Sequence, residues 1–308
     1  MLIDIIAKSR NIFFYFVDIC NQEYRFAHDL EFYKEIIAMH RNVQDIVKLI
    51  KNDDFCRKLY STLEAWDMDK RRAKLNEFET VKESIQQHEL FLIDLYKNKL
   101  DSIESLENEK GEKIIRGLEF VFCHLEIMKS ERRIVGVSKT MHFLLPDLVM
   151  PIDSTYTMPC FYGTNKYNEK AEKEFQTFLD IFTKTHRITK NLKLTNDDVD
   201  GEKWNTSIPK LIDNAIIGFD KTFNNYFNQF KRDTVKKYMT LLKDLTKLTS
   251  VEAEYYGRLL EKKRIKLETS LRENIRKKLI IQKAKEAGIT VSDEEIKAEL
   301  AKKKWIDP

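Results

Sequence analysis

Three side chains in one short segment carry groups suited to acid–base or nucleophilic chemistry: Lys139, His142 and Asp153. An amine can attack an electrophilic carbon, an imidazole can carry a proton near neutral pH, and a carboxylate can take a proton from water or stabilise a cation. They lie in Gly136-Val-Ser-Lys-Thr-Met-His-Phe-Leu-Leu-Pro-Asp-Leu-Val-Met-Pro-Ile-Asp153. This reads as a glycine turn, an apolar helix and an Asp braced by Pro146 and Pro151. A low-bulk turn at Gly136, Ser138, Lys139 and Thr140 would let backbone N–H groups at a helix start approach a phosphate without reading a base. Each candidate also has a plain structural reading. Asp153 can cap a helix after an X-Pro bend, Lys139 can be a solvated surface ammonium, and His142 can be a satisfied imidazole in a core.

The elements around this segment read as helices. The whole chain has 308 residues but only 8 Gly and 5 Pro, too few turn-formers for a many-stranded sheet. Apolar residues recur at three-and-four spacing from Leu30 to Ile50, which predicts one amphipathic helix. Similar stripes run through Val81, Ile85, Leu92 and Leu95, through Leu118, Val121, Phe122 and Leu125, and through Phe175, Phe178, Leu179 and Phe182. Another follows Pro209, from Leu211 to Tyr226. The expected breaks are a charged turn at Glu107 to Lys113, the stretch from Leu145 to Cys160 with three prolines, and polar Leu192 to Ser207.

The 136–153 segment resembles the helix-hairpin-helix DNA glycosylases. The likeness covers about residues 110 to 165 and is closest at Pro151-Ile-Asp153, which is similar to the short Pro-hydrophobic-Asp element that carries that family's catalytic Asp. It implies a hairpin-like element near 134–160, Asp153 as the carboxylate, Lys139 near the position of a Schiff-base lysine, and His142 assisting. A wider stretch, Phe55 to Leu75 with Ser138 to Pro146, is similar to a group of uncharacterised prokaryotic all-helical proteins, and implies an all-helical body over most of residues 30 to 225. Tyr156 and Tyr162 have two readings, stacking on an extruded base or closing a core. Trp66, followed by Asp67 to Arg72, reads as a phosphate grip or as an anchored aromatic before a charged helix start.

Charge divides the chain. Residues 231–308 hold 21 Lys and Arg against 13 Asp and Glu, a net of +8, within a whole-chain net of +4. The expected organisation is therefore an all-α body over 1–230 and a basic helical C-terminal region over 231–308. In that region Arg258, Lys262, Lys263, Arg264, Lys266, Arg272, Arg276, Lys277 and Lys278 form a basic cluster able to follow a nucleic-acid backbone. The apolar seam through Leu260, Leu267, Leu271, Ile275 and Leu279 would instead serve self-association or a protein partner.

Other chemistries are excluded or disfavoured. No P-loop, Rossmann turn, H-E-x-x-H or G-x-S-x-G element occurs, and Cys20, Cys56, Cys123 and Cys160 form no C-x-x-C pair, so neither cofactor nor metal is expected. Asn196 to Gly201 begins like a calcium loop but has Ser207 where the bidentate Glu belongs, and reads as a solvated turn. The short apolar run from Ile12 to Val17 fits neither a leader nor a membrane span, which places the protein in the cytoplasm with no membrane partner. Two functions follow as expectations. One is a nucleic-acid-binding, DNA repair-type protein using Asp153; the other is a non-catalytic helical scaffold with a basic tail.

Overall fold

Side-chain caps and apolar stripes set the helices one after another along the chain. The computed structural model describes residues 2–23, 27–70, 74–130, 132–163 and 171–222. The chain divides into two units, 1–219 and 220–308. The basic cluster Arg258, Lys262, Lys263, Arg264, Lys266, Arg272, Arg276, Lys277 and Lys278 lies outside the described residues.

Eleven helices are bounded in the first unit: α1 Leu2–Ile6, α2 Arg10–Glu23, α3 Ala27–Val43, α4 Ile46–Lys51, α5 Asp53–Ala65, α6 Phe78–Gln87, α7 Glu89–Tyr96, α8 Glu109–His124, α9 Ile134–Leu144, α10 Thr157–Tyr162 and α11 Ala171–Leu192. A further helix, α12, starts at 208. Among the described residues the one β-type pairing is an antiparallel bridge between Leu75 and Met128. The protein is predominantly helical. No helix among the described residues is long and apolar enough to cross a membrane.

Local chemistry explains where the helices break. The stripe from Leu30 to Ile50 is two helices, because Gln44 adopts a left-handed φ of 49° and Asp45 then caps α4 by accepting the Val47 and Lys48 amides. Asn52 does the same for α5, accepting from Asp54 and Phe55. Phe55, Cys56, Leu59, Thr62 and Leu63 then fall on one buried face. The stripe from Val81 to Leu95 is likewise broken, at His88 between α6 and α7. Gly111 lies in the first turn of α8, capped by Asn108, and not in a separate turn.

Helix α9 is the centre of the unit: Ile134 and every residue from Gly136 to Leu144 are buried. It packs against α5, α8 and α11. Tyr33, Phe55, Phe122 and Phe178, on the helices α3, α5, α8 and α11, are fully buried as well. At the opposite end of the sequence, α12 lies on α2, where Phe219 meets Phe16 edge-on at 5.2 Å. Gly218 makes that contact close, since a Cβ there would overlap the Phe16 carbonyl.

Candidate functional site

Adjacent residues of α9 hold adjacent residues of the proline-braced loop. The Ser138 hydroxyl oxygen accepts the Ile152 amide at 3.1 Å and donates to the Val135 carbonyl at 3.2 Å. One residue further along both segments, Lys139 Nζ lies 3.5 Å from Asp153 Oδ2. The loop is also stiffened from its own side. Asp153 Oδ1 accepts the Thr155 amide at 2.6 Å, and the Asp153 amide donates to Thr157 Oγ1 at 3.0 Å. Asp153 thus makes the capping-type turn its sequence allows and still presents its second oxygen to Lys139.

That oxygen faces a cleft of about 180 Å³ lined by Asp29, Trp66, Asp67, Lys139, Asp153, Tyr156, Trp204, Lys210 and Asp213, among others. Trp66 ends α5, and Asp67 turns away with φ 58°. Lys139 Nζ stands 5.0 Å over the Trp66 ring. On α12, Lys210 and Asp213 form a second ion pair, nearly closed to solvent, with Lys210 Nζ 5.0 Å over the Trp204 ring and 5.8 Å over Tyr33. Burial drives the Asp213 carboxyl above the usual carboxylate range. The Asp153 charge adds to that push, while Lys210 and Lys139 oppose it. The lining holds four acidic and two basic side chains, and that acidic excess suits a species that gains positive charge.

His142 belongs to the wall behind this cleft. Its Nδ1 donates to the Val149 carbonyl at 2.7 Å, which leaves Nε2 as the acceptor for the Tyr33 hydroxyl at 3.0 Å. Tyr33 in turn bonds Thr206 Oγ1. Burial lowers the His142 pKa to about 3 and raises the Tyr33 phenol well above its usual value. The expected assisting role of His142 is corrected accordingly: both ring nitrogens are committed inside the core and the imidazole stays neutral.

The expected phosphate-binding turn is also absent. Gly136, Ser138, Lys139 and Thr140 are buried within α9, where the Met128 thioether packs directly over Gly136. Thr140 Oγ1 donates to the Gly136 carbonyl. The start of α9 is occupied from within the protein: Glu174 Oε2, on α11, accepts the Arg133 amide at 2.8 Å and the Ile134 amide at 3.1 Å. A carboxylate therefore fills the place where a phosphate would sit.

Other candidates resolve in the same way. Tyr156 lines the cleft, whereas the Tyr162 hydroxyl donates to Asp180 Oδ2. In the calcium-like loop, Asp198 pairs with Arg10, and Asp200 accepts from the Glu202 amide and Asn205 Nδ2. Trp204, Lys210 and Asp213 were not indicated as site residues by motif. The signal for the last two is an opposite-charge pair at i, i+3 beside the buried apolar run Leu211, Ile212, Ala215 and Ile216. Set against known proteins, the chain matches no family model, no curated protein and no solved structure.

Proposed function

We propose that the protein excises a base from nucleic acid, sharing with the helix-hairpin-helix glycosylases the proline-braced carboxylate but not the phosphate-binding hairpin, with Asp153 as the carboxylate at the reacting sugar. The observation that carries this reading is the Lys139–Asp153 pair, 3.5 Å apart, at a cleft walled by Trp66 and Trp204. An extruded base needs flat apolar faces to replace its lost stacking, and the half-buried Trp66 and Tyr156 at the cleft supply the aromatic surface for it. As the C1′–N bond lengthens, positive charge grows on the sugar, where an ionised Asp153 and the acidic lining favour it. A water molecule then bonds to C1′, one of its protons passes to Asp153, and the base leaves with the electron pair of the broken bond.

Lys139 acts here as the ammonium that keeps Asp153 ionised and oriented. Its alternative role, amine attack at C1′ of an abasic site, requires that its proton first pass to Asp153. Phosphate contact falls to the basic residues 258–278 in this reading, because Glu174 occupies the start of α9.

Oligonucleotides carrying uracil, oxidised guanine or an abasic site provide the test. The expected result is base release by the wild type, reduced by about 10³-fold or more in Asp153→Asn. Borohydride trapping of a covalent adduct that disappears in Lys139→Met would assign the lyase step. If the wild type leaves every substrate intact, and DNA retention shows no steep decline with salt, the excision reading fails and salt-insensitive self-association through 231–308 takes its place.

A further inference from the structure

We infer that the outer face of α7 and α8 docks a second copy of this chain, through Leu90, Phe91 and Phe120, in a transient two-fold dimer. This stands apart from the excision reading, since neither helix lines the cleft.

Helix α7 reads Glu-Leu-Phe-Leu-Ile-Asp-Leu-Tyr from Glu89 to Tyr96, apolar on all sides instead of along one stripe. A helix of that kind is ordinarily buried all round. Here the core takes only Leu92 and Leu95. Leu90 is left 78% exposed and Phe91 38%, and Phe120 of α8 is exposed to the same 38%. Single apolar residues at a surface need no partner, whereas a contiguous group marks an interaction site. These three are contiguous. Leu90 and Phe91 are neighbours in the chain, and Phe91 stacks on Phe120 across the two helices with ring centroids 4.0 Å apart and 17° between the planes. His124 extends the row, 4.4 Å from Phe120.

Charge decides the occupant. The ion pairs Lys51–Glu89, Lys113–Asp94 and Arg116–Glu112 border the apolar group with equal numbers of each sign. Lys97, beside Asp94, and Glu119, next to Phe120 in the chain, keep the balance even. A nucleic-acid backbone needs an excess of positive charge, and a basic protein needs an excess of negative charge. This border suits neither, but it suits itself. Facing copies set apolar residues on apolar residues and both signs against both signs, with no like-charge excess to hold them apart. The stacked pair also has the form that a two-fold contact requires: with one ring on each helix, Phe91 of one copy can meet Phe120 of the partner subunit, and the reverse. Three exposed side chains and their border are small beside the roughly 800 Å² per partner of a standard interface, so the dimer is weak and exchanging.

Sedimentation velocity of the full chain, from about 1 µM to about 1 mM, provides the experiment. The average mass should rise with concentration toward twice that of one chain. Leu90→Glu and Phe120→Glu should each weaken dimerisation by about tenfold or more, because each sets an unpaired charge in the apolar contact. Leu90 is exposed enough that its replacement leaves the core alone, so the thermal unfolding of Leu90→Glu should match that of the wild type. In a mixture of light and heavy isotope-labelled chains, a photo-crosslinker at position 90 should join one copy to α7 or α8 of the other. A mass that stays at one chain throughout, a dimer that both variants leave intact, or crosslinks to any other segment overturns the assignment.

Discussion

Ser138 and Ile152 are joined by a 3.1 Å hydrogen bond that sets the register between α9 and the loop, one residue before Lys139 meets Asp153. The hydroxyl therefore positions the carboxylate without touching it. Ser138→Ala strands the buried Ile152 amide, at a cost of about 1–3 kcal/mol. A loosened loop should also reduce excision by about 10- to 100-fold through misplacement of Asp153, with little change in DNA affinity. Urea unfolding and single-turnover rates separate the two effects, and rescue by Ser138→Thr, which restores an acceptor, would mark the role as positional.

Acid should weaken the fold, and His142 should be one reason. A free imidazole titrates near 6.5, whereas burial holds His142 near 3 and His40 near 4. Below 6.5 the unfolded chain takes up protons that the folded chain refuses, so stability falls as pH drops from 6.5 toward those folded values. At pH 5 one such histidine accounts for about 2 kcal/mol. Asp213, Glu174 and Asp147, all raised by burial, act with the opposite sign in the carboxylate range. His142→Gln keeps hydrogen-bonding groups but does not titrate. Its urea midpoint should change less between pH 7 and 5 than that of the wild type (about 2 kcal/mol less in free energy), and parallel curves would reject the assignment.

Trp66 should report occupancy of the cleft. The chain has three tryptophans, and two of them, Trp66 and Trp204, line it. Binding of single-stranded DNA containing an excisable base should quench their emission, and Trp66→Phe should remove a large part of that signal while keeping a flat face. Trp66→Ala should weaken binding by about 1–3 kcal/mol, the worth of a lost stacking partner. An unchanged affinity in Trp66→Ala would place the base elsewhere.

Glu174→Ala should destabilise the protein by about 1–2 kcal/mol, because the Arg133 and Ile134 amides lose their acceptor inside the core. Glu174→Gln retains an oxygen and should lose less. Chemical denaturation of both variants measures the difference. Equal stabilities for all three chains would show that the carboxylate does not hold the helix start.

Periodicity made the helices legible, because burying one face at three-and-four spacing leaves a pattern that survives without coordinates. It did not show that the Leu30–Ile50 stripe breaks at Gln44, since two helices on one core keep their apolar faces in phase; the signal was Asp45, two residues before Val47. Pro146 and Pro151 correctly implied an irregular stretch, whereas Pro159 and Cys160 lie within α10, and the order of Lys139, Pro151 and Asp153 brought out the pair that meets in the cleft. Gly136 was misleading because a glycine packed under a neighbour's side chain and one required by a turn look alike in sequence; Met128 is the neighbour. The occupant of the α9 start was equally invisible, since Glu174 comes from another helix. Lys210 and Asp213 are hidden for a different reason: an i, i+3 pair of opposite charges is ordinary on an exposed face, and here it is distinctive only because that face is buried.

The cap from Glu174 also imposes an order on assembly during synthesis. Ser138 and Lys139 are made well before Glu174, so a nascent chain carries them on a segment whose first turn lacks its acceptor. Lys210 and Asp213 follow later still. The cleft is thus complete only once the chain has been made as far as Asp213, and a fragment ending before Glu174 lacks both the cap of α9 and the Lys210–Asp213 pair.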